Sequence, residues 1–287
     1  MDKENKIRIF IFAVIFLVFV NILVWSAPQK TSSGFLTVHF LDVGQGDAIF
    51  IDAPNGRQML IDGGRNAGVV RELSRFMNFN DREIDVLLAT HPDSDHIGGF
   101  PEVFNRFRVL NFVDNGKETD SYAHREIMNS IFGGGTRYLT AERGLVIVLD
   151  KKSGVYFQTL APANKFNFAS DNEMSVFGRL VYGDVSFLLT GDAGKMVENI
   201  LVYHDGELLK SNVLKVGHHG SKSSSGMLFL EKVEAEFAII SASAGNSYGH
   251  PDGGVVKNLE NSGAAILETS KEGSIVFQTD GVNLWRK

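Results

Sequence analysis

Residues 84–96 read IDVLLATHPDSDH. Ile84 to Ala89 is a short apolar run, the pattern of a buried strand. It leads directly into Thr90-His91-Pro92-Asp93-Ser94-Asp95-His96. Four candidate metal ligands, His91, Asp93, Asp95 and His96, fall within six residues of one another. Pro92 and Ser94 suit neither a helix interior nor a central strand. The segment therefore reads as a loop at a strand end, where a rigid scaffold presents functional side chains. Divalent metals need imidazoles and carboxylates converging at about 2.0–2.2 Å. One compact loop can supply two neighbouring ions, with His91 and Asp93 facing one and Asp95 and His96 facing the other. The competing reading is a solvated acidic loop with capping aspartates.

Working outward, five of the eight histidines fall in three Gly/Asp-rich loops, each after a predicted buried strand. Val213–Val216 leads to Gly217-His218-His219-Gly220, and Phe237–Ser241 leads to Asn246-Ser247-Tyr248-Gly249-His250-Pro251. Asp192 closes LLTGD, where a carboxylate can bridge metals, although a turn aspartate is the commoner reading. Asp62 in LIDGG reads as an aspartate that orients a ligating histidine. Asp42 and Asp47 in LDVGQGD read as similar supports. No Gly-Lys-Ser/Thr follows those glycines, which excludes a P-loop. Ser221, Lys222 and Ser223 read either as phosphate contacts or as a solvated helix entry.

The chain has 287 residues, 44% hydrophobic and 22% charged, with no cysteine. That composition is globular. The missing cysteines exclude disulfides, thiolate zinc sites and a cysteine nucleophile. Ile9–Trp25 is apolar apart from Asn21, with Lys3, Lys6 and Arg8 ahead of it. Seventeen helical residues reach about 25 Å, the short end of a membrane span. We read residues 1–30 as one N-terminal transmembrane helix and linker, the alternative being a signal peptide cleaved near Ser26 and Ala27. The basic flank keeps the N-terminus cytoplasmic. Residues 31–287 then form an extracytoplasmic domain, or a secreted one after cleavage. Beyond residue 30 the chain carries 24 Lys and Arg against 32 Asp and Glu, a net charge of −8. Such a balance argues against holding nucleic acid by bulk charge, though not against a local basic groove.

The pattern of the domain repeats. Strands over Phe35–Val43, Asp47–Ile51 and Gln58–Ile61, with a turn at Pro54-Asn55-Gly56, precede a helix over Val69–Met77. Helices follow near Pro101–Phe107 and Ser121–Phe132. Strands over Leu145–Leu149 and Val155–Leu160 open the second half. A hairpin of Ser175–Tyr182 and Val185–Leu189 then ends in Asp192, with helices over Lys195–Tyr203, Gly226–Val233 and Gly253–Asn261. Strand, hairpin, Asp-Gly tip and helix thus occur twice, which predicts one α/β domain of sheets covered by helices.

The set FLDVGQGDA, LIDGG, HPDSDHIGG, LLTGD, VGHHGS and YGHP, in this order, resembles the metallo-β-lactamase fold. More narrowly, it resembles the extracytoplasmic metallo-β-lactamase-like domain of competence DNA-channel proteins of the ComEC type, over Phe35 to Gly281. The resemblance implies a four-layer αββα sandwich with a metal site at one edge. It implies His91, Asp93, Asp95, His96, Asp192 and His219 as metal ligands, with Asp192 bridging and Asp62 supporting. His218 then faces substrate or supports the site. The wider fold has histidine where Asp93 stands, and another in the segment that here reads Ser170-Asp171-Asn172-Glu173. One ion, at Asp95, His96, Asp192 and His219, is expected to be the tighter. The other, at His91, Asp93 and Asp192, is oxygen-rich and suits Mn²⁺ as well as Zn²⁺.

The expected activity is that of a membrane-anchored, metal-dependent hydrolase, a phosphodiesterase or nuclease linked to DNA uptake. Asp95 orients or deprotonates water, and His218 and His250 donate protons or hold a phosphate oxygen. The alternatives are another ester or amide substrate (phosphorylcholine ester, lactone, β-lactam) and an inert binding module of a DNA-uptake apparatus. The missing histidine at Asn172 counts against β-lactam hydrolysis. With one candidate span, the chain is not itself a DNA pore.

Overall fold

The computed structural model describes residues 2–25, 34–162 and 170–287. The chain divides into two compact units, Met1–Ser32 and Ser33–Lys287. In the first unit, helix α1 covers Lys3–Trp25. Among the described residues no helix is long and apolar enough to cross a membrane. The unbroken run of apolar side chains described in α1 extends from Ile9 to Val20, about 18 Å of helix at 1.5 Å per residue and short of a ~30 Å hydrocarbon core. The expected helix is present, whereas the expected span is not established by the described residues. The linker expected before residue 31 and the cleavage site expected near Ser26 and Ala27 lie outside them.

The second unit has two sheets. In chain order the first six strands are β1 Leu36–Phe40, β2 Ile49–Asp52, β3 Gln58–Ile61, β4 Glu83–Leu88, β5 Arg108–Asp114 and β6 Arg137–Thr140. They are followed by β7 Val146–Asp150, β8 Val155–Ala161, β9 Phe177–Tyr182, β10 Val185–Leu189, β11 Val213–Lys215, β12 Phe237–Ile240 and β13 Ala265–Glu268. The last two strands are β14 Ile275–Thr279 and β15 Leu284–Arg286. The helices are α2 Gly68–Phe76, α3 Ser94–Ile97, α4 Phe100–Arg106, α5 Tyr122–Gly134, α6 Lys195–Asp205, α7 Met227–Val233, α8 Gly253–Ser262 and α9 Thr269–Glu272. One sheet runs β15-β14-β1-β2-β3-β4-β5-β6, the other β13-β12-β11-β10-β9-β8-β7.

The repeat read from the sequence is visible in the pairing. Strands β1 to β3 are antiparallel and β3 to β6 parallel. Strands β8 to β10 are antiparallel and β10 to β13 parallel. Each half also lends a strand to the other. The sequence reading places β7 at the start of the second half, but in the repeat it closes the first half and pairs with β8 of the second sheet, as β14 closes the second half and pairs with β1 of the first.

Alternation along the strands builds three cores. Between the sheets pack Val38, Phe40, Ile49, Ile61, Leu88, Phe157, Phe187, Val213, Ile239 and Phe277. The outer face of the first sheet meets α2, α4 and α5 through Phe50, Leu60, Leu73, Phe100, Val103 and Ile127. The outer face of the second meets α6, α7 and α8 through Leu188, Leu214, Val197, Phe229 and Leu259. The layers are therefore αββα, as the sequence predicts. Truncating a fully buried ring such as Phe277 costs about 3–5 kcal/mol. Strands β5, β6, β13, β14 and β15 are additions to the sequence reading.

Candidate metal centre

The loops that follow β3, β4, β10, β11 and β12 meet at one edge of the sandwich. Asp62 leaves β3, and His91 and Asp93 follow β4 in a loop, while Asp95 and His96 lie on the short helix α3, where the sequence reading expected loop throughout. Asp192 leaves β10, and His218 and His219 leave β11. By the repeat, the Asp62 turn corresponds to the Asp192 turn and the first histidine loop to the second. Each half thus contributes one aspartate turn and one histidine loop.

The backbone here is held in unusual conformations. Asp62 has φ +57°, and the consecutive residues His218 and His219 have φ +47° and +55°. A non-glycine residue in this left-handed region costs roughly 1–2 kcal/mol. Such outliers cluster where the fold holds a functional group in place. The loop of Gly44–Asp47 presses on the first histidine loop: a Cβ at Gly46 would collide with the Asp95 carbonyl oxygen.

Three imidazoles are buried with their two nitrogens in opposite situations. His96 Nδ1 lies 2.8 Å from Asp62 Oδ2. His91 Nδ1 lies 3.0 Å from Thr90 Oγ1, whose own hydroxyl donates to Asp62 Oδ2 at 2.7 Å. His219 Nδ1 lies 2.9 Å from the Ser241 carbonyl oxygen. Each of these partners must accept, so all three Nδ1 atoms carry the proton and each Nε2 offers its lone pair. The three Nε2 atoms and Asp192 Oδ1 are buried without a hydrogen-bond partner among the described residues. Unpartnered buried nitrogens of this kind are costly unless something else satisfies them.

What surrounds the bare nitrogens is carboxylate. His96 Nε2 lies 3.4 Å from Asp192 Oδ1, and His219 Nε2 lies 3.5 Å from Asp192 Oδ2 and 3.6 Å from Asp95 Oδ2. His91 Nε2 lies 3.5 Å from Asp93 Oδ2 and 4.0 Å from Asp192 Oδ2. Ligands placed tetrahedrally about 2.0–2.2 Å from one ion stand about 3.3–3.6 Å from each other. Two groups, His91 with His96 and Asp192, and Asp95 with His96 and His219, each bring their ligand atoms within 4.8 Å of one another. The donor set therefore fits one or two divalent ions, with Asp192 between them.

The electrostatics agree. Burial alone would push Asp192 up, yet His219 and His96 pull its carboxyl well below the usual range. Burial likewise opposes the shift at Asp95, which His219 and His96 bring down to about 2. Burial disfavours charge on His96, but Asp192 and Asp62 hold it well above an ordinary histidine. His219 is similarly lifted to about 9 by Asp192 and Asp47 against the effect of burial. The carboxylates thus favour positive charge beside His96 and His219, and a divalent cation meets that demand.

His218 and His250 sit differently. His218 Nε2 lies 3.7 Å from Asp192 Oδ2, Nδ1 lies 3.2 Å from Ser223 Oγ, and the ring is within 3.3 Å of Asn172 Nδ2. Its side chain is 28% exposed against 2% for His219. The His250 ring is 5.6 Å from that of His218 and stacks on Tyr248 at 5.8 Å. Burial lowers both histidines below an ordinary pKa. His218, Asn172, Asp192, Lys195 and Ser223 line an open cavity of about 280 Å³ beside the centre. Lys222, which the sequence offered as a phosphate contact, accepts at its backbone carbonyl a hydrogen bond from Lys195 Nζ at 2.7 Å.

The sequence profile of the metallo-beta-lactamase superfamily matches residues 41–243. The chain belongs to the metallo-beta-lactamase superfamily. It is thus a metal-dependent hydrolase of that fold. Over 282 residues it is 30% identical to ComE operon protein 3 of Bacillus subtilis, covering 92% of this chain and 35% of that protein. Over 251 residues it is 31% identical to competence protein ComA of Neisseria gonorrhoeae, covering 87% of this chain and 33% of that protein. The chain spans about a third of the length of these curated relatives. Their names bear out the resemblance to competence proteins. Among solved structures, the metallo-beta-lactamase fold protein YhfI from Bacillus subtilis superposes with a TM-score of 0.58 at 9% identity, over 85% of this chain and 99% of that one.

Several residues of this metallo-beta-lactamase centre escaped the sequence reading. Thr90 and Ser175 hold His91 from behind, with Ser175 Oγ 3.4 Å from Nδ1. Ser175 also accepts the Asp192 backbone N–H at 3.1 Å. Lys215 is fully buried and pairs with Asp47 at 2.8 Å. A charged residue inside the apolar run Val213–Val216 was the available signal for it.

Proposed function

We propose that this chain is a metal-dependent phosphodiesterase that cuts nucleic acid outside the cytoplasmic membrane, tethered there by its N-terminal helix. The observation that carries the reading is the convergence of three buried, bare Nε2 atoms on Asp192. His91, Asp93 and Asp192 would hold one Zn²⁺ or Mn²⁺, and Asp95, His96, His219 and Asp192 the other. Paired divalent ions acidify water and neutralise both the attacking and the leaving oxygen of a phosphodiester.

The chain's own residues supply the rest. Asp95, one-fifth exposed at its side chain and kept ionised, accepts a proton from water approaching the scissile bond. His218 and His250 are neutral near pH 7 because burial holds them low. Each donates a ring N–H to a phosphoryl oxygen rather than delivering a proton from an imidazolium. The cavity beside His218 gives the substrate a polar wall of Asn172, Ser223 and Lys195. Competence relatives favour DNA over a small ester, and the net charge of −8 places any nucleic-acid affinity in this local wall. The basic flank at Lys3, Lys6 and Arg8 and the apolar sequence continuing to Trp25 support a single-pass anchor with the domain outside.

The test uses the full-length protein in mild detergent with Mn²⁺ or Zn²⁺. It should cleave single-stranded DNA and bis(p-nitrophenyl) phosphate but not nitrocefin, and His96→Ala should be inactive. Intact DNA and phosphodiester across several divalent metals would sink the reading.

A further inference from the structure

The two imidazoles of the tighter ion are backed by carboxylates of very different upkeep. Behind His96 stands Asp62, whose oxygens receive the Thr90 backbone N–H at 2.8 Å and the Thr90 hydroxyl at 2.7 Å. Behind His219 stands Asp47, 1% exposed, with Oδ1 3.3 Å from His219 Nδ1. That approach lies outside hydrogen-bond alignment, since Oδ1 has no hydrogen-bond partner and the Nδ1 proton goes to Ser241. Asp47 therefore acts on His219 as a neighbouring charge, and a buried charge needs a partner.

Lys215 is that partner. Its ammonium lies 2.8 Å from Asp47 Oδ2 and donates to the Val216 carbonyl at 3.0 Å. Among the described residues it is the only lysine or arginine that is buried. Val213, two residues earlier on β11, points into the core between the sheets, so strand alternation sends Lys215 the same way. There it reaches the loop before β2 in the opposite sheet. We infer that Lys215 is a positioning residue for metal binding: by pairing with the Asp47 carboxylate and holding it behind His219, it makes His219 Nε2 a stronger ligand, although Lys215 touches neither ion nor substrate.

The inference rests on the reading of His219 as a ligand. A carboxylate behind a ligating histidine raises its basicity, and losing such a partner typically costs about 10–100-fold in metal affinity. The competing account is that the pair only ties the two sheets together.

Lys215→Met alone strands a buried carboxylate and risks unfolding, so the informative variant is Lys215→Met with Asp47→Asn, which removes both charges and keeps the shape. The full-length variant and wild type are titrated with Co²⁺ against a chelator, following the absorption bands and metal stoichiometry. We expect the metal-free forms to melt within a few degrees of each other. The tighter ion should bind about 10–100-fold more weakly in the variant with a changed Co²⁺ spectrum, while the ion at His91 is retained. Equal affinity and an unchanged spectrum, whatever the melting temperature, would overturn the inference and leave the site standing. Wild type binding less than one equivalent would overturn the site and the inference together. If the variant does not fold, ¹⁵N NMR of wild type loaded with Cd²⁺ decides. A proton on His219 Nδ1 and metal on Nε2 supports the inference, and metal on Nδ1 overturns it.

Discussion

The two ends of the metal centre are built to different standards. At the end formed by His96 and His219, every imidazole is buried, and both have carboxylates behind them that are themselves held. At the end formed by His91 and Asp93, the imidazole rests on two hydroxyls, and the Asp93 side chain is 45% exposed. No histidine comes from the Asn172 segment. Asn172 faces His218 instead, and its neighbour Asp171 pairs with Lys117. The contrast teaches that sharing Asp192 does not make the two ends of the candidate centre alike. One end is preorganised by charge, the other rests on neutral hydroxyls and a half-exposed carboxylate.

The largest effect comes from breaking the held end. His96→Ala removes an imidazole from both three-residue groups, and we expect loss of the tighter ion by more than the ~10–100-fold of an outer partner, with activity abolished. Isothermal titration with Zn²⁺ at fixed pH checks this. His91→Ala should instead lose the weaker ion and keep one equivalent.

A smaller effect sharpens the open end. Asp93→Ala should weaken the second ion by about tenfold without touching the first, and Asn172→His should tighten it, because imidazole is a far better ligand than a carboxamide. Metal stoichiometry over a range of free Zn²⁺ reads both. If either substitution changes the first ion as much as the second, the two ends are not separate.

A last effect leaves the site untouched and lies on the outer faces of the two sheets. Burial pulls His39 on β1 down to about 4, and burial pushes Glu198 on α6 up to about 7. His39 stays neutral when folded, so its contribution is present above pH 6.5 and is lost as the pH falls towards 4. Glu198 stays protonated when folded, so its contribution is present below pH 4.5 and is lost as the pH rises towards 7. Each is worth at most about 3 kcal/mol over its whole window. Between pH 4.5 and 6.5 the two slopes oppose one another. Denaturant unfolding should therefore show stability rising more steeply with pH in Glu198→Gln than in wild type, and less steeply in His39→Leu.

Much of this was legible in the chain. The β2–β3 hairpin announced itself through Pro54-Asn55-Gly56, and β4 and the metal loop through one apolar run breaking into His and Asp. Strand β5 was missed because α4 runs into it at Phe107 with no glycine or proline between. Strands β6 and β15 are short edges with largely exposed side chains and carry little pattern. The ligand types could be read from loop composition. What stands behind them could not: Ser241, Thr90 and Lys215 act through partners that only the closed sandwich brings near, and the exchange of β7 and β14 leaves no local trace.

That exchange has a consequence for a broken chain. Each half of the repeat has its closing strand woven into the other half's sheet. A single cut between Pro162 and Ser170 would leave one piece holding β1 to β8 and another holding β9 to β15. Neither piece could complete a sheet: the first lacks β14 beside β1, and the second lacks β8 beside β9. Each holds what the other is missing, so a nicked molecule stays clasped as one particle, and its two histidine loops stay face to face.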